Sequence, residues 1–275
     1  YQLTITGTKP STPFATETYQ VIANTSFKAP VKTYTGFTSP AQKTVTVGDG
    51  TVVEYTYERI KYQNPYKHIL TGVNYNFITT TGEAVYGQEF TVNTSYGVQA
   101  PNGTKLSNTF ASNFSGTKTT YSFGTKFTQP AKIINSEIYY EPVKYNIVYN
   151  LDGGTNNSSN PSTYTVLDNF KFQTPTKKGY DFFGWYLDEN FTQPITGINE
   201  GTNNKFTSTT DMYNKLSTRS TGAITVYAKF IIHDYKITTN IKSGVGVVSD
   251  TSKVEYLTNT AVIITTGNGH KISKI

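Results

Sequence analysis

Large apolar residues alternate with polar residues in many short segments of this chain, which is the pattern of a β-strand with one buried face. The clearest segments are Gly50–Tyr57, Val73–Phe77, Glu89–Val92, Gly222–Phe230, Tyr235–Thr238 and Ala261–Thr265. Helical periodicity is scarce. The best helix candidate is Thr210–Leu216, where Thr209 or Thr210 would cap the first turn and Asp211 would lie at the positive end of the helix dipole. The pattern predicts an all-β to α+β fold with very little helix.

One supersecondary unit is used twice along the chain. Residues 18–37 (TYQVIANTSFKAPVKTYTGF) align with residues 163–182 (TYTVLDNFKFQTPTKKGYDF), with a gap of one residue. Each stretch is followed by one of the alternating segments, Gly50–Tyr57 or Gly222–Phe230. Internal repetition of this kind predicts an array of small modules.

Turn signals divide the array into four modules. A Gln-Asn-Pro turn begins at Gln63, a Glu-Pro step ends at Pro142, and a polar joint lies near Asp234. We therefore expect modules at 1–62, 63–143, 144–233 and 234–275, the last ending before its final strand.

Composition narrows the classes of function. The chain has no cysteine, which excludes disulfides and thiolate metal sites, and its 22 Tyr and 16 Phe provide the apolar area for small cores. The net charge of +6 comes almost entirely from scattered lysines, since Arg59 and Arg219 are the only arginines. A nucleic-acid partner is not expected, because phosphate binding requires clustered charge.

The location of the protein is predicted from what the sequence contains. No run of about 20 apolar residues is present, so we do not expect a membrane-spanning protein. The chain begins at Tyr1 without a signal peptide, lacks cysteine and is rich in Thr, Asn and Tyr. These features are typical of an exported protein of a Gram-positive bacterium, and we expect a monomer.

The third module contains three ordered motifs: YNIVYNLDGG (145–154), PTKKGYDFFGWY (175–186) and ITVYAKF (224–230). Together they resemble the Listeria–Bacteroides repeat, the B-repeat of internalins. The residues that carry this repeat motif are Gly153, Gly154, Gly179, Tyr180, Phe183, Gly184, Trp185 and Tyr186. Two departures are visible. Phe230 stands where the family usually has Trp, and the connection 201–221 is longer than usual.

The chemistry of the motif indicates packing. Asp152, Gly153 and Gly154 are turn residues, and Gly179 and Gly184 allow the backbone to bend or to pack closely. The aromatic residues alternate across a strand, with either Phe182 or Phe183 on the buried face. Trp185 is expected in the core, although stacking on a carbohydrate is the alternative.

Two further modules carry weaker resemblances. The first resembles the mucin-binding-protein repeats of Gram-positive surface proteins, through Gly36-Phe37-Thr38 and the VVEYTYERI segment (52–60), and the fourth resembles a divergent internalin B-repeat. The resemblances imply β-grasp-like modules of an extracellular protein, at the bacterial cell surface or wall, that act as stalks, spacers or adhesive units. The alternative is an accessory module of a carbohydrate-active enzyme, or a glycosidase fragment.

The sequence offers little for catalysis, and we expect no catalytic residues, no metal and no cofactor. His68, His233 and His270 lack metal-ligand spacing and nucleophile motifs. The paired acids Asp188 and Glu189, and Glu54 and Glu58, are candidates for glycosidase chemistry but are more typical of solvated surfaces. Lysine-to-asparagine isopeptide bonds stay open as replacements for disulfides, since Lys144 and Lys236 lie near predicted strand starts with Asn146 and Asn240 nearby.

Recognition is expected in the elaborated segments. The insertion 201–221 supplies the predicted ligand-binding residues Phe206, Met212, Tyr213 and Lys215. The stretch Pro101–Thr120 supplies polar groups flanked by Phe110, Phe114 and Tyr121. The expected partners are host glycoproteins or mucin glycans, or cell-wall polymers such as anionic teichoic acids, which the positive charge would attract.

Overall fold

The structure, a computed structural model, describes residues 17–94, 96–238, 246–248, 253–261, 263–272 and 274. Its chain forms two compact units, Tyr1–Pro142 with Phe206–Ser217, and Val143–Lys205 with Thr218–Ile275. The break between them lies one residue from the predicted boundary at 143/144. The predicted turn at Gln63-Asn64-Pro65 is wrong, because these residues lie within one strand, Lys61–Leu70, and pair along it. The four-module division itself stays a prediction, and the sequence did not indicate that part of the insertion folds with the first unit.

The first unit is built around one five-stranded sheet. Its strands are β1 (Ser26–Lys28), β2 (Phe37–Thr38), β3 (Thr44–Thr46), β4 (Glu58–Arg59), β5 (Lys61–Leu70), β6 (Tyr75–Val85), β7 (Glu89–Thr91), β8 (Thr104–Ser112), β9 (Thr119–Ser122), β10 (Lys126–Thr128) and β11 (Ser136–Pro142). The main sheet has the order β6-β5-β11-β8-β9, in which β5 and β11 are parallel and the other pairs antiparallel. Strands β1 and β3, β2 and β4, and β7 and β10 form two-stranded sheets.

The alternating segment Gly50–Tyr57 is not a hydrogen-bonded strand, contrary to the sequence prediction, and only Glu58–Arg59 pairs there. Its alternation is nevertheless that of a buried face, because Val53, Tyr55 and Tyr57 lie in the core with Ala29 and Phe37. Tyrosine hydroxyls replace the ladder: Tyr55 donates to Ala29 O at 2.9 Å and Tyr57 to Lys32 O at 2.8 Å. Periodicity reports which face is buried, and the hydrogen-bond partner depends on the neighbouring segment.

The second unit has the same kind of sheet. Its strands are β12 (Tyr145–Asn150), β13 (Thr163–Tyr164), β14 (Phe170–Lys171), β15 (Tyr180–Tyr186), β16 (Pro194–Ile195), β17 (Gly197–Ile198), β18 (Ile224–Ile232), β19 (Asp234–Tyr235), β20 (Gly246–Val248), β21 (Val254–Glu255) and β22 (Ile264–Thr266). The order of the main sheet is β13-β12-β18-β15-β16, with β12 and β18 parallel. Strand pairs β14–β17, β19–β21 and β20–β22 are separate. One face buries the core, which contains Ile147, Tyr164, Phe172, Trp185, Ile198, Val226 and Ala228.

The one helix of the described residues, α1, spans Thr209–Ser217 and confirms the predicted helix. Ser208 caps it, one residue before the predicted position, because its Oγ accepts from Asp211 N at 3.1 Å. Asp211 in turn accepts from Thr207 N at 2.8 Å and pairs with Lys215 at 3.0 Å. The all-β class with very little helix is confirmed, and α1 is too short and too polar to cross a bilayer.

Candidate functional site

Trp185 belongs to the core of the second unit. It is 4% exposed, and its indole N–H donates to Gln173 O at 3.3 Å. The rings of Tyr149, Phe172 and Phe182 lie 5.4 to 5.9 Å from it in edge-on or tilted arrangements. The expected burial is confirmed, and the stacking alternative does not fit, since no face of the indole is open to a sugar.

The glycine turn after β12 has a steric reason for its sequence. Asp152 and Gly153 have φ of +44° and +78°, the left-handed region that favours glycine. A Cβ at Gly154 would lie 2.8 Å from Thr176 O and 3.0 Å from the Phe230 ring. Phe230, at the family's usual Trp position, therefore packs directly on this turn.

A β-bulge decides which of the two adjacent phenylalanines is buried. In the pairing of β15 with β18, Phe182 lies opposite Phe230 but Gly184 lies opposite Lys229, so Phe183 is the extra residue. Phe182 packs against the core, whereas Phe183 is 60% exposed. Bulges commonly turn a side chain out of the alternation of a strand.

Phe183 contributes to a cluster on the outer side of this sheet, which we call the Lys229 surface: Phe183, Phe191 and Lys229, with the buried ring of Tyr186 beneath them. The ammonium of Lys229 lies 5.0 Å from the centre of the Phe183 ring, 5.4 Å from that of Phe191 and 5.7 Å from that of Tyr186. Among the described residues, no carboxylate forms a salt bridge with Lys229, so the rings provide its cation–π partners.

The turn that carries Phe191 is held by an acid. Phe191 has φ of +57°, and Asp188 accepts from Thr192 N at 3.0 Å and from Gln193 N at 2.7 Å. Desolvation acts to raise the pKa of Asp188, but these backbone hydrogen bonds outweigh it and lower the pKa below its ordinary value. Asp188 thus orders the Lys229 surface and is an ionised structural acid, which does not support it as a glycosidase acid.

The insertion residues predicted to bind ligand make contacts within the first unit. Met212 is fully buried. The Phe206 ring lies 5.3 Å from that of Tyr75, and the Tyr213 ring lies 6.1 Å from that of Phe77 while its hydroxyl donates to Gln99 O. These contacts anchor α1, so the placement of these side chains does not support the ligand-binding role, which stays a prediction.

Arg219, which sequence reasoning did not single out, connects the two ends of the insertion to each other and to the repeat. It is 5% exposed and donates to Val166 O at 2.9 Å, Asn203 O at 2.7 Å and Asn204 Oδ1 at 3.2 Å. A buried guanidinium needs such acceptors, because an unpaired charge is costly to desolvate. Both ends of the insertion are therefore fixed to the repeat.

The stretch Pro101–Thr120 has a packed side and an open side. Phe110 is fully buried, and Phe114 stacks on Phe127 with ring centres 3.8 Å apart. A cavity of about 250 Å³ lies on the main sheet. It is lined by Pro65, Lys67, Ala111, Asn113, Lys118, Asn135, Ser136 and Glu137.

Glu137 is the acid of this cavity. It accepts from Lys118 and, at 2.8 Å, from the Tyr139 hydroxyl. Partial burial acts to raise the pKa of Glu137, but the hydrogen bonds from Lys118 and Tyr139 outweigh this effect and lower it. An ionised, hydrogen-bonded carboxylate is suited to binding polar groups and poorly suited to acid catalysis.

His68 and His233 each have their own hydrogen-bonding partners. His68 is buried between Thr80 Oγ1 at 2.9 Å and the Tyr140 hydroxyl at 3.3 Å, and burial lowers its pKa to about 4. His233 pairs with Asp181 at 2.8 Å on the surface. Within the part of the chain that the structure describes, His, Asp and Glu form no group of three suited to a metal. Of the isopeptide candidates, Asn240 lies outside the described residues.

The comparisons with known proteins concern the second unit. Neither a curated protein nor a solved structure matches the chain. Residues 145–215 match the family model of the Listeria-Bacteroides repeat domain, a non-catalytic repeat of surface proteins. The match does not reach β18, the central strand of this sheet. The resemblances of the first and fourth modules stay predictions, and residues 145–215 are identified as a Listeria-Bacteroides repeat.

Proposed function

We propose that this chain is a non-catalytic part of a bacterial cell-surface or secreted protein, and that it acts as an adhesion or stalk module. Its Lys229 surface contacts glycans, either those of host glycoproteins and mucins or those of cell-wall polymers. The family match supports the surface role, because this repeat occurs in surface proteins. The exposure of Phe183 is the main support for placing the contact site at the Lys229 surface.

The energetics of Phe183 favour a contact role over a packing role. Burying a phenylalanine side chain stabilises a fold by about 1.5 to 3 kcal/mol, and a bulge that leaves it 60% exposed gives up part of that gain. The adjacent residues Phe182 and Trp185 do pack into the core. Exposed apolar groups that cluster beside a polar group are typical of binding surfaces.

The charge at this surface indicates the class of glycan. Aromatic rings present apolar faces to the C–H faces of a sugar, and a lysine without an acidic partner attracts a carboxylate or a phosphate. Sialylated mucin glycans carry carboxylates, and teichoic acids carry phosphates. We therefore propose an anionic glycan as the ligand of the Lys229 surface.

Adhesion of two variants tests the proposal. Phe183→Ala should weaken binding of the intact chain to immobilised mucin or teichoic acid while leaving the fold unchanged by circular dichroism. Ile133→Ala is the matched control, because Ile133 is 53% exposed on the other unit. A folded Phe183→Ala variant that binds as well as the control and the parent would refute the contact site and leave the stalk role.

Two lysine substitutions test whether binding depends on the lysine of this surface or on the net charge of the chain. Lys229→Gln should lose most of the salt-dependent binding, whereas Lys126→Gln, which removes an exposed lysine 3.7 Å from Glu89 on the first unit, should not. Equal losses in the two variants would show that net charge alone attracts the polymer. Removal of sialic acid from the mucin distinguishes the two glycan sources.

A further inference from the structure

The repeat motif contains a glycine, Gly179, whose open side is occupied by a tyrosine from further along the chain. Gly179 has φ of +78°, and a Cβ there would lie 2.1 Å from the Tyr256 ring. Two backbone hydrogen bonds connect the same residues: His233 N donates to Gly179 O at 2.9 Å, and Tyr256 N donates to His233 O at 3.3 Å. The Tyr180 and Tyr256 rings are edge-to-face at 6.3 Å.

The first unit contains the same arrangement at Gly36. Its φ is +83°, and a Cβ would lie 2.3 Å from the Tyr86 ring. Ile60 N donates to Gly36 O at 2.9 Å, and Tyr86 N donates to Ile60 O at 2.9 Å. The Phe37 and Tyr86 rings are edge-to-face at 5.7 Å. Gly36-Phe37 and Gly179-Tyr180 lie near the ends of the two aligned stretches, where each glycine follows the shared proline, Pro30 by six residues and Pro175 by four.

Each tyrosine follows an antiparallel strand pair, which we call its hairpin. In the first unit, Lys61 of β5 pairs with Val85 of β6, and in the second, Asp234 of β19 pairs with Glu255 of β21. Tyr86 and Tyr256 each follow the last of these strand residues directly. Each hairpin therefore begins one residue after the amide that binds the glycine carbonyl, and it ends at the tyrosine that covers the glycine.

The turns that follow the second strand of each hairpin, and that contain the tyrosines, also correspond. Gln88 N donates to Val85 O at 2.9 Å, and Thr258 N donates to Glu255 O at 3.2 Å. The residue after each tyrosine has positive φ, +73° at Gly87 and +60° at Leu257.

One ion pair occupies the same position in both hairpins with the charges reversed. Lys61 pairs with Glu83 at 2.8 Å, and Lys253 pairs with Asp234 at 2.9 Å. Glu83 and Lys253 each lie three residues before the tyrosine. The position is retained although the residues are not.

We propose that Gly36-Phe37 and Gly179-Tyr180 each form a docking site, which we call a socket. The socket binds the turn that carries the tyrosine at the end of the next hairpin along the chain. The partner of the socket is an antiparallel strand pair whose second strand leads into a turn, with Tyr at the second position of that turn and a positive-φ residue after it. The same glycine–tyrosine contact and backbone hydrogen bonds occur in both units. In each unit they connect one module to the next, and we call this set of contacts the joint. Incidental packing would not reproduce the glycine conformation, the hydrogen-bond relay, the ring contact and the turn together.

Glycine substitutions with a matched control test the socket in the full chain. Gly179→Ala adds a methyl group against the Tyr256 ring, whereas Gly153→Ala adds one at the same φ of +78° with no atom within 4 Å. Both variants carry the backbone strain of a left-handed alanine. We expect amide hydrogen exchange in residues 253–261 to accelerate at least tenfold in Gly179→Ala and to stay within twofold of the parent in Gly153→Ala.

A substitution of Tyr256 is the second test, and it is informative about the socket even when Gly179→Ala does not fold. Tyr256→Ala removes the ring without straining the glycine, and it should accelerate exchange in residues 253–261 by a similar factor. Combining it with Gly179→Ala should add little further effect, since the clash is gone. Unchanged exchange in Tyr256→Ala would overturn the socket.

The first unit tests whether the rule is general. Gly36→Ala should accelerate exchange around Tyr86, and Gly50→Ala, whose φ is +68° with no atom within 4 Å, is its control. If Gly36→Ala and Gly50→Ala behave alike, the two joints are not the same device and the proposal fails. The outcome does not depend on glycan binding at the Lys229 surface.

Discussion

Acid should destabilise the first unit through one buried histidine. His68 is fully buried in β5, where its ring nitrogens contact Thr80 Oγ1 and the Tyr140 hydroxyl. Burial lowers its pKa from the ordinary value of 6.5 to about 4, because the charged imidazolium is poorly solvated there. The folded protein therefore keeps His68 neutral at a pH where the unfolded chain has already bound a proton.

The sign and size of the effect follow from linkage. Above pH 6.5 both states hold a neutral His68 and the group does not change the stability. As the pH falls below 6.5 the unfolded state binds more protons, and the free energy of unfolding decreases until the folded state is protonated near pH 4. At 1.36 kcal/mol for each pKa unit, the loss is about 2 kcal/mol at pH 5 and about 3 kcal/mol near pH 4.

Urea denaturation at pH 7.5, 6.5, 5.5 and 4.5, followed by hydrogen exchange of the β5 amides, measures this loss. His68→Gln, which has no charge to gain, should lose far less stability over the same range. His270→Gln is the control, because His270 is exposed. The pKa values of carboxylates such as Glu83 and Asp211 are lowered by their hydrogen bonds, and their contribution to the pH dependence is common to the parent and His68→Gln. Parallel pH profiles of the parent and His68→Gln would refute the reasoning.

Four other changes should have defined outcomes. Trp185→Ala should lower the free energy of unfolding by about 3 to 5 kcal/mol in chemical denaturation, as expected for a large core side chain, and an unchanged midpoint with lost glycan binding would restore the stacking alternative. Met212→Ala should cost about 2 to 5 kcal/mol by the same assay, because the side chain is fully buried. Ser208→Ala should cost about 1 kcal/mol through the lost helix cap, seen as faster exchange of the α1 amides. Leu257→Gly should raise the melting temperature, because it relieves about 1 kcal/mol of left-handed strain at a residue that is 84% exposed; a lower melting temperature would contradict this.

The sequence predicted the elements whose causes are local. Alternation identified β18, and the capping residues placed α1 within one residue at its start, since both depend on neighbours in the chain. The glycine turn after β12 was predictable because glycine favours positive φ. Trp185 was predictable as a core residue because the aromatic motif required a buried face.

Features that depend on distant segments were not predictable. The alternating segment Gly50–Tyr57 lacks a ladder, because its tyrosine hydroxyls bond to the backbone at Ala29 and Lys32. The choice between Phe182 and Phe183 depended on a bulge against β18. Placement of α1 with the first unit depends on contacts with Tyr75 and Phe77, more than 120 residues away in the chain, which no periodicity encodes.

The repeat motif can be divided by what each of its residues contacts. Trp185 fills the core, Gly154 admits the backbone of Thr176, and Gly179 admits the Tyr256 ring. Each of these residues has a reason within the chain, so its substitution should act on stability or on the joint between modules. Phe183 has no such reason, since a bulge turns it out beside Lys229 and leaves it 60% exposed. Phe183 is therefore the residue among these four where loss of binding without loss of stability is expected.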